Sequence, residues 1–168
     1  MSQLAELQDQ GFLCDVTLVS GDGLSATAHK VVLAARIPYF KARFDSGLCS
    51  SDQITLESMK FSVLSSVIGY CYKGSISVDS WEEVCEVLIA ADYLQLDNLK
   101  CECELLLKKE VCVENCVELC NLSNTYSCPL LKDKASEFAG VYSYTSLKCM
   151  PPPKFHFCRL FLESPKVT

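Results

Sequence analysis

At residue 28 the apolar spacing of this chain changes period, and that change sets the fold class. Upstream, Phe12-Leu-Cys-Asp-Val-Thr-Leu-Val19 is rich in β-branched and aromatic residues, Gly21-Asp-Gly23 supplies turn chemistry, and Leu24-Ser-Ala-Thr27 completes a predicted hairpin. Downstream, Val31, Val32 and Ala35, then Tyr39, Phe40 and Phe44, recur at a spacing near that of a helix. Pro38 suits the first turn of a second helix, so two helices are predicted to meet at Arg36 to Pro38. A small sheet beside several amphipathic helices is an α+β chain.

The same reading extends in both directions. Leu4 and Leu7 sit at helical spacing before Gly11, which predicts a short leading helix. Gly47 ends the second core helix, Gln53-Ile-Thr-Leu56 reads as a strand, and Phe61, Leu64, Ile68 and Cys71 form the stripe of another helix that stops at Tyr72-Lys-Gly74. Ser75-Ile-Ser-Val78 reads as a last short strand. Ser80 and Glu83 have capping-box spacing ahead of Val84, Val87, Leu88 and Ala91. Leu96, Leu99, Cys103, Leu106 and Leu107 mark a further helix, and Lys108 and Lys109 suit its C-terminus. A first domain over residues 1–110 follows. Residues 111–140 hold two more helical patterns, about Val113 to Thr125 and Pro129 to Ala139, and residues 141–168, with Pro151-Pro-Pro153, are expected to be an irregular tail.

Composition matters where it removes options. A formal charge of −6 and a pI near 4.9 argue against a nucleic-acid surface, which needs clustered Lys and Arg. Neither a secretory leader nor an apolar run of membrane-spanning length is evident, so a soluble protein of the cytoplasm or nucleus is expected. In that reducing setting the 12 cysteines are expected to be mostly buried free thiols. Cys101-Glu-Cys103 with Cys112, Cys116 and Cys120 does not match the CxxC knuckles of structural zinc sites; the four-residue recurrence stacks thiols on one helix side without any metal. No metal or other cofactor is expected.

Catalysis has no support either. A Cys-His nucleophile pair needs a histidine near a thiol and a third orienting group, yet the histidines are only His29, at a helix start, and His156, in the tail. GxSxG, HExxH and phosphate-binding glycine loops do not occur, and Glu82-Glu83 reads as a solvated helix face. The chain is read as a non-enzyme.

CDVTL at 14–18, AHKVVLAARIPYF at 28–40, YCYKG at 70–74 and AADYLQLDNLKCECELLL at 90–107 together resemble the BTB (POZ) domain, and more narrowly its kelch-like group. ENCVELCNLSNTYSCPLLKDKASEFA at 114–139 resembles the start of the BACK region that follows BTB there. The resemblance implies a helical core capped by a small, mainly antiparallel sheet, then a partial all-helical BACK region. It implies a homodimer with Leu4, Leu7, Asp15 and Lys30 at the interface, Asp15 lying close to Lys30 in a charged pocket. It implies a substrate adaptor or scaffold of cullin-3 ubiquitin ligases, bound to cullin-3 through Tyr39, Phe40, Phe44, Leu48 and Ser50, with substrate delivered by an unknown or kelch-type partner. Ser50 stands where the group often has glutamate, which predicts weaker cullin binding. No kelch repeats are present in the sequence, so a fragment or shortened isoform is expected. Two other functions stay open: a corepressor-binding BTB module of the transcriptional type, and a thiol-based stress sensor centred on Cys112 near Lys108 and Lys109.

Overall fold

A computed structural model describes residues 3–46 and 52–141. Within them the chain forms α1 (Gln3–Asp9), β1 (Val16–Ser20), β2 (Ser25–Ala28), α2 (Lys30–Arg36), α3 (Pro38–Asp45), β3 (Gln53–Leu56), α4 (Phe61–Lys73), α5 (Trp81–Tyr93), α6 (Asp97–Glu110), α7 (Cys116–Thr125) and α8 (Pro129–Val141). The α+β class holds. The sheet runs β2-β1-β3 and is mixed, β1 pairing antiparallel with β2 and parallel with β3.

Strand alternation aims one sheet face inward. Val16, Leu18 and Ser20 are buried on β1, and Ile54 and Leu56, in register beside Leu18 and Ser20, continue that face. It meets α4, whose Val63, Leu64, Val67, Ile68, Cys71 and Tyr72 are all buried. Helix α4 also touches α1, α2 and α5, so it is the hub of the core. The predicted inner face of α5 (Val84, Val87, Leu88, Ala91) is buried throughout, as are Leu96, Leu99, Cys103 and Leu107 around α6; Leu106 is half-buried.

The β1–β2 turn is fastened to the start of α4. The Gly21 N–H donates to the Met59 carbonyl at 2.8 Å, and a Cβ on Gly21 would lie 1.9 Å from the Glu57 carbonyl oxygen, so only glycine fits this crossing. Asp22 accepts from the Phe61 N–H at 3.1 Å, at the first turn of α4, and from the Ser20 hydroxyl; that hydroxyl bond, first, holds its carboxyl below the ordinary carboxylate range. At α5 the capping pair forms as the spacing predicts: Ser80 Oγ accepts from the Glu83 N–H at 3.2 Å, while the Glu83 carboxylate turns back to the Asp79 N–H at 3.2 Å.

Several boundaries differ from expectation for physical reasons. Residues 75–78 keep strand alternation, with Ile76 and Val78 half-buried and Ser75 and Ser77 exposed, but they belong to no ladder among the described residues. An extended segment becomes a strand only beside a free edge, and Gly74, left-handed at φ 73°, caps α4 and sends the chain elsewhere. At the other end, Gly11 and Leu13 have positive φ, so β1 starts at Val16 and not at Phe12. The Val113 pattern winds into a helix only from Cys116, and α8 runs to Val141, the first residue of the expected tail. Residues 142–168, with His156, lie outside the described residues, as do Leu48 and Ser50.

Candidate functional site

His29 stands at the entrance to α2 with its ring buried and its hydrogen-bonding capacity filled. Tyr72 Oη, from α4, accepts the His29 backbone N–H at 2.9 Å and lies 2.7 Å from Nδ1; Nε2 lies 2.9 Å from the Phe12 carbonyl. One proton arrangement satisfies all three contacts. Tyr72 donates to Nδ1, and Nε2–H donates to Phe12. Burial pushes the Tyr72 phenol upward, which keeps that donor proton in place. Cys14 Sγ is 3.9 Å from Nε2, a proximity that sequence separation hid. Because Nε2 carries the proton and spends it on Phe12, the ring has no lone pair with which to activate that thiol. The Cys-His geometry is a structural corner.

Asp15 and Lys30 lie together at this corner, joined through the Lys30 backbone. Asp15 Oδ1 accepts the Lys30 backbone N–H at 2.6 Å, which caps the first turn of α2 where His29 offers no side-chain cap. The Lys30 ammonium reaches Asp52, 2.6 Å away, on the approach to β3. With Asp52 well exposed, that ion pair is worth about 0–1 kcal/mol. Around the same corner large apolar side chains face outward: Leu13 is 75% exposed, Val31 74%, and Leu4 on α1 51%, while Leu7 is half-buried.

A second surface lies on α3. Tyr39 is half-buried and packs its ring at a 41° tilt against Tyr93 from the end of α5, centroids 5.4 Å apart, and its hydroxyl accepts from Arg43 at 2.8 Å. Phe44 is half-buried and stacks on Phe40 at 5.9 Å. Phe40, expected at the same contact, is only 1% exposed and props this face from below. Sequence reasoning missed Tyr93, 54 positions from Tyr39, because its stripe of helical neighbours marked it only as the end of α5. Burial, with the Tyr39 hydroxyl adding, pushes the Tyr93 phenol up to about 12, so it stays protonated at neutral pH.

The thiols are mostly withdrawn. Nine cysteines are free among the described residues, and burial pushes Cys71 and Cys103 up to about 12 and Cys128 up to about 11, with Cys85 and Cys116 also raised. Such thiols are poor nucleophiles. Cys112, the residue on which a sensor would rest, is half-buried in the corner before α7. Among the described residues no group of three or more His, Cys, Asp or Glu side chains is placed to hold a metal ion, and no helix is long and apolar enough to cross a membrane.

These features are a capped helical core with outward apolar and aromatic patches, the build of a protein-interaction module. A family profile for the BTB/POZ domain matches residues 4–111. Kelch repeat and BTB domain-containing protein 2 of Pongo abelii is 31% identical over 149 residues, 84% of this chain and 24% of that protein. Human Kelch-like protein 2 is 35% identical over 136 residues, 80% of this chain and 23% of that protein, and Protein maternal effect lethal 26 of Caenorhabditis elegans is 33% identical over 132 residues, 77% and 33%. The BTB domain of zebrafish PATZ1 superposes with a TM-score of 0.57 at 28% identity, over 64% of this chain and 87% of that one. The chain belongs to the BTB/POZ domain family, with kelch-like relatives. It spans about a quarter to a third of the length of these relatives.

Proposed function

We propose that this chain is the homodimeric BTB part of an adaptor or scaffold for cullin-3 ubiquitin ligases, in which the chemistry belongs to its partners. The observation that carries the reading is the Tyr39–Tyr93–Phe44 face formed by α3 and the end of α5, half-exposed aromatics in a family member whose relatives are kelch-like. Partly exposed aromatic side chains are among the residue types that dominate binding energy at protein interfaces. By the family resemblance Leu48 and Ser50, which follow α3 in sequence, are assigned to the same cullin contact, and α7 with α8 reads as the start of a BACK region. The second copy covers the apolar residues Leu4, Leu13 and Val31, with Leu7, Asp15 and Lys30 around them.

The test is a calorimetric titration of the purified chain with the N-terminal domain of cullin-3. Saturable binding that is lost in Leu48→Asp and tightened in Ser50→Glu supports the reading. A folded, dimeric chain that does not bind cullin-3 overturns it.

A further inference from the structure

We propose that Glu104 and Asn115 are positioning residues that lock α7 and α8 onto the preceding helices, so that both parts form one rigid body and not a domain followed by a loose helical hairpin. Both side chains are buried, and both are committed to backbone groups of the joint. Glu104 reaches from α6 to the start of α8, where one carboxylate oxygen accepts the Leu130 N–H at 2.7 Å and the Leu131 N–H at 3.1 Å. Pro129, the first residue of α8, has no N–H to satisfy, so Glu104 takes the next two donors, at the helix end that favours negative charge. Those donors lie 26 and 27 residues away in sequence, so no local turn offers them the same acceptor.

Asn115 works at the other end of the pair. Its Oδ1 accepts the Cys112 N–H at 2.8 Å, and its Nδ2 donates to the Glu110 carbonyl at 2.9 Å, which satisfies the last carbonyl of α6 and fixes the corner into α7. Between the two locks Leu119, Leu122, Leu131 and Ala135 join the same apolar core as α5 and α6. Joints between independent domains are usually solvated and polar, with few buried commitments. Here the buried Glu104 carboxylate has its backbone partners only when α8 is docked, while Asn115 holds the α6–α7 corner from which the pair departs. A partner spanning α3, α5 and α8 would meet a surface already ordered. The inference does not depend on the partner being a cullin.

Amide hydrogen exchange of the free full chain tests it. In the wild type, the Leu130 and Leu131 amides and those of α7 should exchange no faster than the core amides of α5. Glu104→Ala should accelerate exchange across residues 116–141 by about 10- to 100-fold while α4 and α5 stay protected, and Glu104→Gln, which keeps an acceptor oxygen, should recover most of the protection. Asn115→Ala should open the same segment from its other end, and serves if Glu104→Ala does not fold. The proposal is overturned if α7 and α8 already exchange much faster than α5 in the wild type, or if the substitutions accelerate every helix equally.

Discussion

The phenol of Tyr72 holds His29 at two points, accepting its backbone N–H and meeting its Nδ1, across 43 residues of sequence. This contact ties the entrance of α2 to the end of α4. It gives His29 a structural role at the start of α2. Tyr72→Phe keeps the ring and strands two buried polar groups, so it should cost about 1–3 kcal/mol. Urea denaturation should show a lower midpoint at unchanged slope; an unchanged midpoint would mean that water or another side chain replaces the phenol.

Two glycine substitutions should move stability in opposite directions. At Gly21 an added methyl meets the Glu57 backbone oxygen, and Gly21→Ala should destabilise by about 1–3 kcal/mol because backbone must move. At Gly69, in the middle of α4, nothing lies within 4 Å of the added carbon, and Gly69→Ala should stabilise by about 0.5–1 kcal/mol. Thermal melts of the two variants beside the wild type check both signs.

Stability should be insensitive to reductant and fall in alkali. The folded thiols of Cys71, Cys103 and Cys128 titrate well above the ordinary 9.0, so the unfolded chain releases these protons first and gains from rising pH. Their contribution is complete below 9 and is lost as pH climbs from 9 toward 11 and 12, by about 1 kcal/mol per thiol per pH unit. Denaturation curves at pH 7, 9 and 10 would reveal the fall. A large loss of melting temperature in reductant would instead reveal disulfides.

Dimerisation should depend on the outward apolar corner. A charge at the centre of an apolar contact is costly to desolvate, so Val31→Asp should yield a monomer whose fold is intact. Light scattering at micromolar concentration reads the mass directly, and a wild-type monomer there would remove the homodimer from the proposed function.

Tyr93→Ala should weaken cullin-3 binding by about 1–2 kcal/mol while Phe40→Leu acts mainly on stability, since one residue faces outward and the other supports it. Parallel titrations and melts separate the two effects. Equal affinity of the Tyr93 variant and the wild type would place the contact away from α5.

Much of this was legible along the chain because it rests on neighbours close in sequence. The period change at residue 28, Pro38 at the start of α3, Gly74 past the end of α4 and the Ser80–Glu83 cap each involve residues within a few positions of one another, where local sterics and hydrogen bonding decide the outcome. The apolar stripes of α4, α5 and α6 likewise announced which faces would be buried.

What only the tertiary structure decided are the meetings of distant groups. Ser75-Ile-Ser-Val78 alternates like a strand, yet whether it becomes one depends on a free edge elsewhere. Lys30 finds Asp52 while Asp15 takes a backbone N–H, because the choice of partner follows from how β3 lies beside β1. Cys14 beside His29, Tyr93 beside Tyr39, and Glu104 beneath α8 share the same cause. A side chain's local periodicity determines the face on which it lies; its partner is determined by packing across the whole core, where chain separation carries no information.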